Sequence, residues 1–222
     1  MKAMLLAAGR GERMRPITDS LPKPLLQVGD RALIAWHLAA LARAGIREVV
    51  INVSWHGQQL RAALGEGREF GVQISWSDEG PVPLETGGGI LRAVPLLGPG
   101  PFLVVNGDVW TDLDFAHLRL EPGAHAHLVL VANPPHHPHG DFGLDGDLIV
   151  EREHERLTYS GIGVYRPEFF AGCSAERFPL LPLLQRAIAA RLVRGELHRG
   201  EWCDVGTPER LASLRERVAA LQ

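Results

Sequence analysis

The chain has 222 residues, 45% of them hydrophobic and 22% charged, and carries a formal net charge of −3 at pH 7. This length supports one α/β domain with a sizeable core, and a near-neutral charge without a basic run argues against nucleic acid as a partner. Two cysteines make no disulfide framework, and neither a signal peptide nor a membrane-spanning run is visible, so we expect a cytoplasmic protein that does not act at a membrane.

The first informative stretch is a strand that ends in a glycine turn. Residues 3–8 are apolar and predict a short buried strand. Residues 9–11, Gly-Arg-Gly, are unfavourable in a strand and therefore predict its end. Their glycines also let a ligand approach the backbone. The cations Arg13, Arg15 and Lys23 follow within one loop's reach. A strand, a glycine turn with free N–H groups and clustered cations together predict an anion site, with phosphate as the preferred ligand.

Two common phosphate-binding motifs do not describe this stretch. The P-loop requires Gly-x-x-x-x-Gly-Lys-Ser/Thr, a string that the sequence does not contain. The dinucleotide-binding motif requires a third glycine where this sequence has Met14, which disfavours a nicotinamide or flavin enzyme. A plain β-turn with solvated arginines would be favoured for the glycine pair alone. The cations and prolines that follow, as far as Pro24, favour a ligand site instead.

Residues 6–14, Leu-Ala-Ala-Gly-Arg-Gly-Glu-Arg-Met, together with the Pro-Lys-Pro of residues 22–24, resemble the nucleotide-binding motif of the sugar-1-phosphate nucleotidyltransferases. The resemblance extends over essentially the whole chain. It implies an α/β fold, a single Rossmann-like domain over 1–222, with a mixed, mostly parallel central sheet flanked by helices. Residues 1–110 would mainly bind the nucleotide and 111–222 mainly the sugar. The implied nucleotide contacts in this motif are Leu6, Ala8, Gly9, Gly11, Glu12, Arg13 and Lys23.

The next segments alternate between helix and strand. Apolar spacing predicts a helix over 33–43 that ends at Gly45, and His37 within it is expected to be a packed or surface histidine rather than a ligand. A strand over 47–53, a helix over 58–64 and a strand over 72–76 follow. Strand, helix and strand joined by short turns predict right-handed crossovers and a parallel sheet.

Residues 83–93 are the second informative stretch, because Gly87, Gly88 and Gly89 precede an apolar run. We expect a ligand-facing loop that opens into a helix, since bare backbone lets a flat base lie against it and a helix N-terminus offers N–H groups. A flexible loop without a ligand is the alternative. The family has a related segment that holds the nucleobase and nucleoside, so the resemblance adds nucleotide contacts at Glu85, Thr86, Gly87 and Gly88.

A buried strand over 101–105 leads into Asn106, Gly107 and Asp108. In open α/β sheets, ligands gather outside the carboxyl ends of strands, and a carboxylate there suits Mg²⁺ bound together with substrate phosphates. The same dipeptide is the family's metal motif, which implies Asp108 as a metal ligand and Asn106 as a substrate contact. A turn or cap role for Asp108 competes with this when the dipeptide is taken alone. Asp112 is expected to cap the following short helix.

A strand over 127–132 precedes a loop, 133–142, that contains three histidines. Its prolines and irregular spacing disfavour a zinc site. The Asn-Pro, His-His and Gly-Asp-Phe arrangement resembles one branch of the family, the bacterial N-acetylmuramate-1-phosphate uridylyltransferases. Asp141 in this loop is a candidate substrate contact.

The segment 142–152 predicts a strand pair around the turn at 145–147, and 157–165 predicts a strand interrupted by glycines. Glycine inside a strand often marks the close approach of a ligand. In the family this strand and a preceding glutamate line the sugar, which implies substrate contacts at Glu151 and Gly161. Many relatives have Glu-Lys-Pro where this chain has Glu-Arg-Glu at 151–153, so Arg152 is the candidate replacement for a lysine that contacts the sugar phosphate.

A helix over 180–191 and a strand over 193–197 come before the last motif. Thr207 as N-cap and Pro208 at the first position predict a final helix over 209–221. Asp204, alone, would be an ordinary turn carboxylate, but Trp-x-Asp-x-Gly-Thr-Pro is also a family motif whose aspartate is the second metal ligand. Cys203 beside it is expected to be buried and inert.

The resemblance implies attack by a sugar 1-phosphate on the α-phosphorus of a nucleoside triphosphate. Asp108 and Asp204 would hold Mg²⁺, Arg13 would neutralise the leaving pyrophosphate, and Lys23 would stabilise the transition state. The branch favours UTP and N-acetylmuramate 1-phosphate as substrates, in cell-wall sugar recycling. A mannose-1-phosphate guanylyltransferase, a hexose-1-phosphate relative and a non-catalytic nucleotide-sugar-binding subunit stay open as alternatives. We expect a monomer or a small homo-oligomer, and no sequence feature decides between them.

Overall fold

The structure, a computed structural model, describes residues 1–174 and 176–220. Its strands are β1 (Lys2–Leu6), β2 (Gln27–Val28), β3 (Arg31–Ala32), β4 (Glu48–Val53), β5 (Gln73–Asp78), β6 (Phe102–Asn106), β7 (Val109–Thr111), β8 (Ala126–Val131), β9 (Gly143–Asp145), β10 (Leu148–Val150), β11 (Thr158–Tyr165), β12 (Val193–Leu197) and β13 (Trp202–Asp204). Its helices are α1 (Leu33–Arg43), α2 (Gly57–Leu64), α3 (Glu85–Leu97), α4 (Leu181–Ala189) and α5 (Pro208–Ala219).

The central sheet has nine strands in the order β5-β4-β1-β6-β11-β8-β12-β10-β9. The pairs β5–β4, β4–β1, β1–β6 and β8–β12 are parallel, whereas β11 is antiparallel to both of its neighbours. Because β10 is antiparallel to β12 and β9 in turn to β10, seven of the nine strands point in the same direction. The predicted α/β fold with a mixed, mostly parallel sheet flanked by helices is confirmed.

Helices cover both faces of this sheet. Along β1, Ala3 and Leu5 pack into the core beneath α1 and α2, and Met4 packs into the opposite core beneath α3 and α4. A strand that is covered on both faces has apolar residues at consecutive positions. Residues 3–5 are therefore all apolar and do not alternate with polar residues. Within the described ranges, none of the helices combines the length and the apolar character that crossing a bilayer requires.

A third, smaller core joins the segment after β1 to the C-terminal helix. Met14 and Leu26 pack there with Leu211 and Leu214 of α5. Beside this core, β13 pairs antiparallel with β7, so that Asp204 lies opposite Val109. This pairing places the last predicted motif next to the end of β6.

Three sequence expectations need correction or completion. Residues 87–89 lie inside α3 rather than in a loop before it. Asp114, not Asp112, caps the next short helix, because its Oδ1 accepts a hydrogen bond from the N–H of Ala116 at 2.9 Å. Thr207 caps α5 as predicted, accepting from the N–H of Arg210, and the predicted helical residue 221 lies outside the described residues.

Candidate active site

A cleft of about 740 Å³ opens at the carboxyl ends of β1, β4, β5 and β6. Ligands of open α/β sheets bind at this edge, and the volume is in the range of small-molecule sites. The predicted site residues that line it are Leu6, Ala8, Gly9, Gly11, Glu12, Arg13, Lys23, Glu85, Thr86, Asn106 and Asp108. Those that do not line it are Gly87, Gly88, Asp141, Glu151, Gly161 and Asp204.

The glycine-rich segment after β1 turns on Gly11. This residue has φ of +65°, in the left-handed region, and a Cβ there would lie 2.9 Å from Cγ2 of Thr18. Thr18 in turn donates from Oγ1 to the Gly11 carbonyl oxygen at 2.8 Å. Residues 9–13 are therefore fixed with backbone N–H groups and exposed arginine side chains at the cleft, which is the arrangement that an anion requires.

Lys23 and Asp108 form an ion pair inside the cleft. The Nζ atom of Lys23 lies 2.7 Å from Oδ2 of Asp108, and Lys23 is only 8% exposed. Asp108 follows β6 through Gly107, whose N–H donates to the Leu6 carbonyl oxygen at 2.9 Å. The ends of β1 and β6 are thus locked together, and they carry the phosphate segment and the carboxylate on one rigid edge.

Asp204 lies on the strand that runs beside Asp108. The N–H of Val205 donates to the Asp108 carbonyl oxygen at 2.7 Å. The Asp204 carboxylate accepts hydrogen bonds from Arg210 Nη1 at 2.7 and 2.6 Å, and His136 Nε2 lies 2.9 Å from its Oδ1. Each of the two predicted metal ligands therefore has a cationic side chain as its partner.

Asp108 and Asp204 together form the candidate metal site. In the described part of the chain, no group of three or more histidine, cysteine, aspartate or glutamate side chains is arranged to hold a metal ion. One carboxylate in the cleft and a second on the adjacent strand β13 nevertheless fit Mg²⁺, which takes one or two protein carboxylates and completes its shell with water and substrate phosphates. Asp108 and Asp204 are the residues that fit this donor set.

At the opposite end of the cleft, Glu85 and Thr86 form the start of α3. Gly87 and Gly88 lie beneath another part of the chain: a Cβ at Gly87 would collide with the Phe178 ring, and one at Gly88 with the Glu176 carbonyl oxygen. The expected ligand-facing glycine loop is therefore corrected. Glycine is needed at these two positions because the segment at 176–178 packs closely on the helix. The cleft does not reach them.

Asn52 and Glu79 line the cleft, and neither was identified from the sequence as a site residue. Asn52 Oδ1 accepts from the N–H of Ala7 at 2.7 Å, and its Nδ2 donates to Glu79 Oε1 at 2.6 Å. Glu79 Oε2 accepts from the N–H of Leu84 at 2.7 Å. The two side chains are 4% and 7% exposed. This buried network ties the ends of β1 and β4 to the start of α3.

A sequence signal for Asn52 did exist. It is a polar residue at the carboxyl end of an apolar strand, the same pattern that identified Asn106. Arg177, which also lines the cleft and pairs with Glu85 at 2.8 Å, comes from a distant segment and had no such signal.

Gly161 contacts the cleft only through Asn106. It has φ of +78°, and a Cβ there would collide with the Asn106 side-chain amide. Asp141 accepts from the N–H of Tyr159 at 2.8 Å and contacts His137 Nε2 at 3.0 Å, so its carboxylate ties the loop at 133–142 to β11. The absence of a side chain at Gly161 therefore determines the position of the Asn106 side chain. Asp141 stabilises the loop at 133–142.

Glu151 and Arg152 lie at the far end of the sheet, after β10. Glu151 is exposed, and Arg152 pairs with Asp145 at 3.6 Å and Glu155 at 3.9 Å. Neither residue lines the cleft. The replacement of a lysine by Arg152 at the sugar phosphate therefore stays a prediction, and in this structure its guanidinium pairs with carboxylates outside the cleft.

His37 lies in α1 behind the Asp108 strand turn. Its Nε2 is 2.7 Å from the Val109 carbonyl oxygen, which makes Nε2 the donor. Burial lowers the pKa of His37 to about 4, so the ring is neutral at neutral pH. The prediction of a packed histidine is confirmed. Cys203 is half-buried rather than buried as expected, and this partial burial raises the pKa of its thiol.

Comparisons with known proteins agree on one group. The sequence profile of the nucleotidyl transferase family matches residues 2–156. A Neisseria meningitidis serogroup B protein named N-acetylmuramate alpha-1-phosphate uridylyltransferase is 52% identical over 99% of this chain and 99% of its own length. A protein of the same name from Caulobacter vibrioides is 35% identical over 98% and 96% of the two chains.

Two further matches are more distant. The catalytic subunit beta of mannose-1-phosphate guanylyltransferase from Dictyostelium discoideum is 35% identical over 76% of this chain and 42% of its own length. A Bacillus anthracis crystal structure, provisionally named a glucose-1-phosphate thymidylyltransferase and bound to sucrose, superposes with a TM-score of 0.86 over 98% of this chain and 94% of that chain. At 20% identity this second likeness concerns the fold alone.

Proposed function

The chain belongs to the nucleotidyl transferase family, and we propose on this basis that it transfers the uridylyl group of UTP to N-acetylmuramate 1-phosphate. The products would be UDP-N-acetylmuramate and pyrophosphate. The reaction class rests on one observation: the ion pair of Lys23 and Asp108 lies in the same cleft as the glycine-rich phosphate segment. The choice of substrates rests on the 52% identity to the Neisseria protein over the full length of both chains.

The proposed chemistry needs no protein nucleophile. A phosphate monoester has a second pKa of about 6, so the sugar phosphate is a dianion at neutral pH and already carries the attacking oxygen. That oxygen forms a bond to the α-phosphorus of UTP. The bond from the α-phosphorus to the bridging oxygen breaks, and pyrophosphate leaves with the electron pair. Catalysis is then a matter of positioning and of neutralising charge.

The cations of the cleft are assigned from their positions. Arg13, beside the N–H groups of residues 11 and 12, would neutralise the leaving pyrophosphate. Lys23, buried and aimed at Asp108, would lie over the α-phosphate and stabilise the charge that develops on it. Lys23 is one of only two lysines in a chain whose other basic side chains are arginines and histidines. A compact ammonium fits this confined place, whereas a guanidinium is larger and planar.

Asp108 and Asp204 are the proposed ligands of Mg²⁺, which would supply charge neutralisation between the α-phosphate and the attacking sugar phosphate. The carboxylate of Asp108 is 38% exposed and that of Asp204 is 23% exposed. Asp108 lines the cleft, whereas Asp204 lies next to Gly206, a residue of the cleft wall.

Nucleoside and sugar are assigned to opposite ends of the cleft. Glu85 and Thr86 at the start of α3 are proposed nucleoside contacts, with Gly87 and Gly88 shaping the helix beneath them. Asn106, positioned by Gly161, is the proposed sugar contact. A cytoplasmic location belongs to the same proposal, because the proposed nucleotide substrate is a cytoplasmic metabolite.

The test is pyrophosphate release in the presence of Mg²⁺. UTP, GTP, CTP and dTTP are each combined with the 1-phosphates of N-acetylmuramate, N-acetylglucosamine, glucose and mannose. We expect the highest kcat/KM with UTP and N-acetylmuramate 1-phosphate, which would place the protein in cell-wall sugar recycling. A preference for GTP and mannose 1-phosphate would keep the mechanism and overturn the specificity. Nucleotide binding without any pyrophosphate release would favour a non-catalytic regulatory subunit.

A further inference from the structure

The proposed function gives no role to the ion pair between Arg210 and Asp204. Nη1 of Arg210 lies 2.7 Å from Oδ1 and 2.6 Å from Oδ2, and His136 Nε2 lies 2.6 Å from the same Nη1. The Arg210 side chain is 17% exposed and that of Asp204 is 23% exposed. The carboxylate proposed to receive a metal ion is therefore occupied by a guanidinium that is largely withdrawn from water.

Arg210 stands at the wall of the cleft. It is in the first turn of α5, where its N–H donates to the Thr207 cap at 3.4 Å. Its guanidinium covers Gly206, which lines the cleft, and a Cβ at Gly206 would collide with it. Because Gly206 has no side chain, the guanidinium can contact this residue of the cleft wall.

The charges on the two carboxylates explain why this cation must move. Lys23 pairs with Asp108 and Arg210 pairs with Asp204, so each carboxylate already has its own counter-ion. A divalent cation that binds Asp204 removes the partner of Arg210. A largely buried guanidinium without an anion is strongly unfavourable, and it will form new hydrogen bonds to the nearest anion within reach.

The reaction supplies such an anion. The glycine-rich segment and Arg13 are assigned to the triphosphate, whereas the sugar 1-phosphate has no basic side chain assigned to it, because Arg152 lies outside the cleft. The side chain of Trp202, on the same face of β13 as Asp204, donates from Nε1 to the Ser160 carbonyl oxygen beside Gly161 at 3.0 Å. Arg210 therefore stands on the sugar side, and a guanidinium binds a phosphate with two parallel hydrogen bonds.

We propose that Arg210 is a substrate-binding residue that changes partner during the reaction. In the free protein it is paired with Asp204, and after the metal-bearing nucleotide has bound Asp204 it binds the phosphate of the sugar 1-phosphate. The inference rests on the proposed function and adds an order of binding to it. The nucleotide binds first, and its arrival frees the guanidinium that receives the sugar phosphate.

The test compares Arg210→Met with Arg215→Met. Arg215 is on the same helix but donates from Nε to the Gln27 carbonyl oxygen at 2.8 Å, away from Asp204. Mn²⁺ binding to the protein without nucleotide is followed by the electron paramagnetic resonance signal of free Mn²⁺. We expect Arg210→Met to bind Mn²⁺ roughly tenfold more tightly, because a charge-assisted competitor has been removed. Arg215→Met should bind it as the wild type does.

The second measurement is calorimetric titration of the sugar 1-phosphate into protein that holds Mn²⁺ and a non-hydrolysable UTP analogue. We expect Arg210→Met to lose roughly tenfold or more in affinity for the sugar 1-phosphate, with the affinity for the UTP analogue nearly unchanged. Arg210→Lys, which keeps the charge, should recover part of this affinity and also covers the case in which Arg210→Met does not fold.

Two results would overturn the inference. Unchanged affinity for the sugar 1-phosphate in a folded Arg210 variant would show that the guanidinium does not bind it. Mn²⁺ affinity that stays constant or falls would show that Arg210 does not compete for Asp204. A wild-type protein that binds both ligands but releases no pyrophosphate would instead defeat the proposed function and leave these two binding results to decide the role of Arg210.

Discussion

The Nζ atom of Lys23 lies 2.7 Å from Oδ2 of Asp108, so in the free protein the proposed catalytic cation forms an ion pair with a proposed metal ligand. The two residues are 85 positions apart in the sequence and meet because β1 and β6 are neighbours in the sheet. The cleft is therefore close to electrically neutral at this point before substrates bind.

Lys23→Met should leave a folded protein with a turnover lower by roughly 10²–10³-fold, the usual effect of removing one group that stabilises developing charge. Steady-state pyrophosphate release measures it, with folding checked by circular dichroism. Lys2→Met is the matched control, because Lys2 is the other lysine and pairs with Glu48 at the amino ends of β1 and β4, outside the cleft. Similar turnover in the two variants would remove Lys23 from the catalytic group.

Gly161→Ala should weaken the binding of the sugar 1-phosphate, because the added Cβ displaces the Asn106 amide. The KM for the sugar 1-phosphate should rise while the KM for UTP changes little. Gly146→Ala is the control, since Gly146 also has a positive φ, of +61°, but has open space around it. Both variants should lose about 1 kcal/mol or more of stability through backbone strain, and a rise in KM for both would point to strain rather than to displacement of Asn106.

Asn52→Ala should destabilise the protein by about 2–4 kcal/mol. The substitution leaves the N–H of Ala7 and one oxygen of the buried Glu79 carboxylate without their partner, and each unsatisfied buried polar group costs about 1–3 kcal/mol. Urea denaturation measures the loss, with the exposed Gln73→Ala as control. Nucleotide affinity should fall as well, because Glu79 holds the start of α3 through Leu84. A loss below about 0.5 kcal/mol, the scale of an ordinary surface substitution, would contradict the role given to this network.

His37 should make the free energy of unfolding depend on pH between about 6.5 and 4. Burial lowers its pKa to about 4, whereas a histidine in an unfolded chain has a pKa of about 6.5. The unfolded state therefore takes up a proton first as the pH falls, so this stability is present above pH 6.5 and is lost as the pH falls toward 4. Between pH 7 and pH 5 the loss should be about 2 kcal/mol.

The comparison of His37→Gln with wild type isolates this effect, because glutamine can still donate to the Val109 carbonyl oxygen. The stability of the variant should change less between pH 7 and pH 5, by the same amount of about 2 kcal/mol. The exposed His139→Gln serves as control and should behave as the wild type. Equal pH dependence in His37→Gln and wild type would mean that the buried ring is not the group that titrates.

Local signals in the sequence located much of the cleft. The glycine turn at residues 9–11 and the strand-end triplet at 106–108 are contiguous motifs, and the rule that ligands gather at the carboxyl ends of strands brings them together. The same rule would have identified Asn52. The alternation of strands and helices likewise predicted the sheet, because each element is encoded by its own period of apolar residues.

Contacts between distant segments could not be predicted in this way. Gly87 and Gly88 were expected in a loop because glycine disfavours helices, yet close packing of Phe178 on α3 explains them as helical residues. The pairing of Arg210 with Asp204 depends on the start of α5 and on the loop that carries His136. Neither contact leaves a pattern in its own stretch of sequence, because each depends on side chains that come together only in the folded chain.

The small core around Met14 has a consequence for synthesis on the ribosome. The phosphate segment leaves the ribosome long before Leu211 and Leu214, which pack with Met14 in that core. Because a domain folds as a unit, Met14 and Leu26 have no packing partners from α5 in a nascent chain that stops before that helix. Asp204 and Arg210 arrive with the same late segment. The site is therefore complete only after α5 has been translated, and a product truncated before β13 would lack Asp204, Arg210 and part of the small core.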